Sequence, residues 1–332
     1  MSETYKQSGE SFIEFFNKHI PPLQRYRSTC VGLAYELIGR WHDLDNIIKG
    51  VSNFIILLSC EEAVKDVNEY VANGKNPESV PITEKDHVLV GLRVYVEGRY
   101  GVIIADPGYH IGKCITVMVD SQFPHSGWQA FVYEPDNYKL IHYKINKNNV
   151  DYVEWHERKN RHGVLEEDIS LIYVGKDYRS ANAVTERRNL VNPLKSLLSR
   201  GYYGNIRAGI YFRIRPNENQ FTLITEREGL CYSTRLDFEL FLYPDCIPQE
   251  IRDDIELCNR QLKFPPGTLY DMIIRLAAIL VDEDYINEIL RVHIYVQRHH
   301  RYRPRLLYTR RSGQLYQDKE HEDNYPLPPI LF

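Results

Sequence analysis

Three residues in the first third of the chain have the side chains that acyl chemistry needs: a thiol at Cys30, an imidazole at His87 and a carboxylate at Asp106. In such a set the thiolate attacks an acyl carbon. The imidazole holds and returns the proton, and the carboxylate fixes the imidazole tautomer and stabilises its cation. Each residue also has an ordinary reading. A free cysteine in a helix is most often an inert core residue, a histidine opening a strand suits a sheet surface, and an aspartate before Pro107 suits a turn. Spacing is what favours the chemical reading. Val31, Leu33, Ala34, Leu37, Ile38 and Trp41 recur at three- and four-residue intervals, which predicts a helix starting at Ser28 or Thr29. Cys30 then lies in its first turn, against the unbonded N–H groups and the positive dipole end that favour a thiolate.

His87 and Asp106 are brought together by a hairpin. Glu97-Gly98 reads as a tight turn between HVLVGLRVYV and RYGVIIA, and pairing centred there joins residues whose numbers sum to 195. His87 then lies opposite Gly108, and Asp106 is a diagonal neighbour on the same face, about 7–8 Å away between backbones. One bulge at Gly98 or Gly101 would put the two on opposite faces.

Other groups compete for attention. Ser59-x-x-Glu62 reads as a capping box opening a helix over 59–73, which would make Cys60 a rival nucleophile, though one without a matching His and Asp. His110, Cys114, Asp120 and His125 could suggest a metal, but no second close pair completes a tetrahedral set and no metal is expected. The run RHHRYRPRLLYTRR, from Arg298 to Arg311, interleaves basic and aromatic residues. It could hold a phosphate-rich ligand, or be a solvated helix end paired with the acidic DKEHED after it. Neither G-x-x-x-x-G-K-S/T nor G-x-G-x-x-G occurs, which removes kinases, NTPases and dinucleotide enzymes.

The elements that must position the trio follow from periodicity. Residues 11–20 form a capped amphipathic helix from Ser11, and KNPESVPITEKD is a polar connector. From His87 seven β-branched runs follow: HVLVGLRVYV, RYGVIIA, KCITVMV, WQAFVYE, YKLIHYKI, VDYVEW and DISLIYV. They suggest a small antiparallel barrel or strongly curved sheet. A helical stretch is expected around 180–200, then strands in AGIYFRIR, QFTLITE and STRLDFELFLY. Helices follow in QEIRDDIELCNRQL, TLYDMIIRLAAILVD and INEILRVHIYVQRHH, with an extended tail ending NYPLPPILF.

A chain of 332 residues exceeds one hydrophobic core, and 43% apolar with 26% charged residues is a globular balance rather than a disordered one. A net charge of −4 argues against nucleic acid or an anionic membrane as partner of the whole chain. Six cysteines without a CxxC pair read as reduced thiols. With no signal-peptide pattern and no stretch near the ~20 apolar residues of a membrane helix, a cytoplasmic protein is expected.

Taken together, Arg27-Ser28-Thr29-Cys30, His87-Val88-Leu89-Val90 and Asp106-Pro107-Gly108-Tyr109 resemble the arylamine N-acetyltransferases of the transglutaminase-like cysteine superfamily. ANAVTERRNLVNPLKSLLSR sits where that family carries an Asn and a proline-bearing segment. The family's Arg-Gly-Gly-x-Cys lead-in reads Arg-Ser-Thr-Cys here. The resemblance implies an α+β fold. A helical domain (1–80) would carry the nucleophile, followed by a central antiparallel β-barrel (81–177), an α/β lid (178–262), and C-terminal helices with a tail (263–332). It implies a Cys30, His87, Asp106 triad passing an acyl group through a Cys30 thioester to an amine or hydroxyl acceptor. The acyl donor and acceptor would be small molecules, with acyl-CoA as co-substrate and no permanently bound cofactor. Transglutaminase-like peptidases and transamidases share the same residue order, and a catalytically inactive binding module would keep the same fold.

Overall fold

The computed structural model describes residues 1–23, 29–73, 86–109, 111–134, 137–161, 163–201, 205–216 and 218–306. The proline-bearing connector, His110 and the tail lie largely or wholly outside the described residues, as do the side chains of the 298–311 basic run. Two short helices, α1 (Ser2–Ser8) and α2 (Phe12–Lys18), open the chain, and α3 (Cys30–Trp41) follows. Next come β1 (Ile55–Glu61), α4 (Val67–Asn73), β2 (His87–Val96), β3 (Arg99–Ala105) and β4 (Ile115–Met118). Then come β5 (Gln129–Glu134), β6 (Asn137–Ile145), β7 (Tyr152–Arg161), β8 (Val164–Tyr173) and α5 (Asn182–Val191). The remainder is β9 (Leu194–Arg200), β10 (Ile206–Arg213), β11 (Gln220–Arg227), β12 (Leu230–Asp237), α6 (Gln249–Gln261), α7 (Thr268–Leu280) and α8 (Glu283–Leu306).

The chain divides into two compact units. Residues 13–192 form one, and Met1–Phe12, Pro193–Gly201 and the residues from Asn205 onward form the other. Mixed helix and strand make this an α+β protein. In the first unit eight antiparallel strands run in the order β4-β3-β2-β1-β8-β7-β6-β5. Strand twist accumulates over eight strands, so the sheet curls into a half-barrel in which β4 comes back toward β6, while β4 and β5 remain its edges. Leu58, Leu89, Val102, Ile104, Val117, Tyr143 and Trp155 fill the curl. On the other face of β1 and β2, Ile55, Leu57, Val88 and Val90 pack under Val31, Ala34 and Ile38 of α3. The second unit holds the sheet β12-β11-β10-β9 and α6, α7 and α8. Among the described residues no helix is long and apolar enough to cross a membrane.

Each of the seven expected strand runs contains a strand, but three expectations need correction. Residues 59–73 are not one helix: 55–61 is strand β1 and only 67–73 is helical. IILLSC is apolar on both faces because β1 is covered on both, so it lacks the alternation that marks a strand. The helix expected over 180–200 stops at Val191, because Pro193 cannot continue it, and 194–200 pairs with β10 instead. STRLDFELFLY is strand only to Asp237, then a 3-10 helix over Phe238–Leu242.

Where β1 meets β2, Gly91 leaves room for Leu58. A Cβ added at Gly91 would lie 2.5 Å from Leu58 Cδ1 and 2.8 Å from its Cγ. Leu58 is fully buried and has nowhere to retreat. Gly91→Ala is expected to destabilise the fold by about 1–3 kcal/mol. An unchanged urea midpoint would contradict this packing.

Candidate active site

Thr29 caps α3: its Oγ1 accepts from the Gly32 N–H at 3.1 Å, which leaves Cys30 as the first helical residue. The Cys30 and Val31 N–H groups have no partner within the helix by construction. The β2–β3 hairpin pairs Val90 with Ala105 through Val96 with Arg99, the register centred on Glu97-Gly98. His87 and Asp106 thereby share the parity of Leu89 and Ile104, on the face that lines the curl.

His87 Nε2 donates to Asp106 Oδ1 at 2.9 Å. The same Oδ1 accepts the Tyr109 N–H at 2.9 Å, closing an Asx-type turn over Pro107-Gly108. Asp106 is thus both turn-former and imidazole partner. Both groups are nearly out of water, at 4% exposure for His87 and 2% for Asp106. Nε2 is committed to the carboxylate, and Cys30 lies close enough to act on the His87 charge. Burial opposes a charge on His87. The Asp106 carboxylate and the Cys30 thiol outweigh it and hold the imidazole well above its ordinary value.

Gly108 lets these groups meet. A Cβ there would lie 2.5 Å from His87 Cε1 and 3.1 Å from Cys30 Cβ, so the bare backbone fits between base and thiol. Cys30 is half-buried. A third element reaches it from α5, where Asn189 Nδ2 donates to Cys30 Sγ at 3.5 Å.

Around this centre Tyr109 sets its ring edge-on to His87, 4.3 Å between centroids, and 5.0 Å from Trp155. The Tyr109 hydroxyl donates to Glu62, whose carboxyl is pushed up by burial and by the neighbouring Asp86 charge. Arg188 pairs with Asp86, the residue before His87. Glu62, expected as the capping-box residue of a helix that does not form, stands instead beside Tyr109, and Arg188 and Asn189 carry no signal in the sequence that places them here. Only the sheet register and the course of α5 bring them here.

Cys60 does not open a helix. It lies in β1 opposite His87 on β2, fully buried, and burial first, then the charges of Glu62 and Asp106, push its thiol far above its ordinary range. Cys114 is exposed, and the backbone N–H of Met118 donates to His125 Nδ1. Among the described residues no three His, Cys, Asp or Glu side chains gather as metal ligands would.

No protein-family model matches the sequence, and no curated protein matches it. Among solved structures, an N-arylamine acetyltransferase from Mycobacterium smegmatis is matched with a TM-score of 0.27 and 10% identity. The match covers 63% of this chain and 68% of that one. A likeness of that size carries no functional argument, so function must be argued from the site itself.

Two outcomes follow from the geometry. The folded protein holds His87 protonated above its ordinary 6.5, so the stabilisation from the charged imidazole is in full force below about pH 6.5. It is lost as pH rises through the raised folded value. The unfolding free energy of the wild type minus that of His87→Gln, from urea titrations, should therefore fall with pH above 6.5. A flat difference would contradict the assignment. Gly108→Ala should slow iodoacetamide labelling of Cys30 by separating thiol from imidazole, and an unchanged rate would show that the contact is dispensable.

Proposed function

We propose that the protein is a thiol acyltransferase that works through a Cys30 thioester. The observation that supports this most is the buried His87–Asp106 hydrogen bond of 2.9 Å, with Cys30, at the first turn of α3, beside the imidazole across Gly108.

The proton shared by Cys30 and His87 rests on the imidazole, and the Cys30 sulfur adds to the carbonyl carbon of an activated acyl donor. The π pair moves to oxygen. Collapse of that adduct breaks the bond to the leaving group, which departs with the proton from His87. An amine or hydroxyl acceptor then attacks the thioester, gives its proton to His87 and displaces the Cys30 sulfur, which is protonated in turn. Asp106 holds the imidazole in the tautomer that both halves require and stabilises its cation. The donor we propose first is an acyl-CoA thioester, because a thiol leaving group makes exchange with Cys30 nearly balanced in energy. The acceptor class is a small amine or hydroxyl compound.

Incubation with acetyl-CoA or other acyl-CoA donors, followed by intact-protein mass spectrometry and peptide mapping, should find one acyl group on Cys30. Cys30→Ser should lack the thioester, and His87→Ala should form it about a hundredfold to ten-thousandfold more slowly. Acylation at other cysteines in preference to Cys30 would refute the proposal. Loss of the acyl group to water alone, whatever amine is offered, would make the protein a hydrolase.

A further inference from the structure

Helix α5 has a polar buried face. Asn182 and Glu186 are 2% exposed and Thr185 is fully buried, where a helix packed for stability alone would carry apolar residues. Its polar groups tie it to α3, to the segment that leads into it and to the residue before β2. Asn182 Nδ2 donates to the Tyr35 hydroxyl on α3, Thr185 Oγ1 lies 3.3 Å from the Tyr178 hydroxyl, and Arg188 pairs with Asp86 beside His87. Pinned to α3 on one side and to the start of β2 on the other, α5 delivers Asn189 to the sulfur of Cys30 at 3.5 Å.

An amide has no proton to trade near neutral pH, so Asn189 does not duplicate His87. What it offers is a fixed dipole. When the Cys30 sulfur adds to an acyl carbon, negative charge passes from sulfur to the carbonyl oxygen, which is attached to the carbon that sulfur has just bonded. A donor already on the sulfur stands beside that oxygen.

We propose that Asn189 is a catalytic residue whose side-chain amide donates to the oxyanion formed during Cys30 acylation, together with the N–H groups at the start of α3. This rests on the acyl-transfer reading above. It adds to that reading a side-chain donor from an element 159 residues away in the chain from Cys30. A donor aimed at developing charge acts in the transition state and costs no reorganisation when the reaction occurs.

Two probes of the full-length protein separate the possibilities. Iodoacetamide reacts with Cys30 by displacement of iodide at a saturated carbon and makes no oxyanion. p-Nitrophenyl acetate reacts at a carbonyl carbon, passes through one, and releases p-nitrophenolate as the thioester forms. Asn189→Ala should slow the p-nitrophenolate burst by about 10²–10³-fold while changing the iodoacetamide rate at Cys30 by less than about threefold. Asn189→Leu, nearly the same shape without the donor, should do the same and serves if the alanine variant does not fold. Equal losses with both probes would make Asn189 a group that only sets thiol reactivity, and no loss with the ester would remove it from the reaction. Either result overturns this proposal while leaving Cys30 as nucleophile. A wild-type Cys30 inert to both probes would instead overturn the acyl-transfer reading itself.

Discussion

A carboxylate and an imidazole almost wholly removed from water must find each other, and that requirement governs the rest of the first unit. Burying either charge alone costs several kcal/mol, and the cost is offset only by close pairing with further hydrogen bonds. Asp106 receives two on one oxygen, from His87 and from the Tyr109 backbone. That arrangement needs a hairpin without a bulge, a turn after Asp106 that aims a backbone N–H at its carboxylate, and a residue without a side chain at Gly108.

The two thiols near His87 show how environment separates chemistry from packing. Cys60 is directly opposite His87 across β1 and β2, and the sheet seals it from solvent and surrounds it with carboxylates. Its thiol stays protonated. Cys30 comes from a helix end, is half-buried, and meets His87 and Asn189 rather than acidic groups.

The second organising contact is the Arg188–Asp86 ion pair. It joins α5 to the residue before His87, so the helix that carries Asn189 and the strand that carries the imidazole share an anchor. The Tyr35–Asn182 bond performs the same service toward α3. The buried polar side chains of α5 are spent on bonds that fix its position against α3 and the start of β2. Tyr109 stands edge-on to the imidazole and is itself held by Glu62.

Much of this was legible from residue order. The first turn of α3, its threonine cap, the hairpin register and the shared face of His87 and Asp106 all rest on interactions between residues close in sequence, where capping, periodicity and turn chemistry act. The strand character of 55–61 was hidden because a strand covered on both faces loses its alternation. Pro193 ends α5 locally, but that 194–200 becomes a strand depends on its pairing with β10. What only the tertiary structure decided is that Cys30 meets His87 across Gly108, and that Glu62, Arg188 and Asn189 join them. These contacts span tens to more than a hundred residues and depend on how the eight-stranded sheet curls and where α5 returns. No local propensity encodes them: long-range placement is set by the packing of whole faces, and that packing seals Cys60 inside β1 while leaving Cys30 half-buried at a helix end.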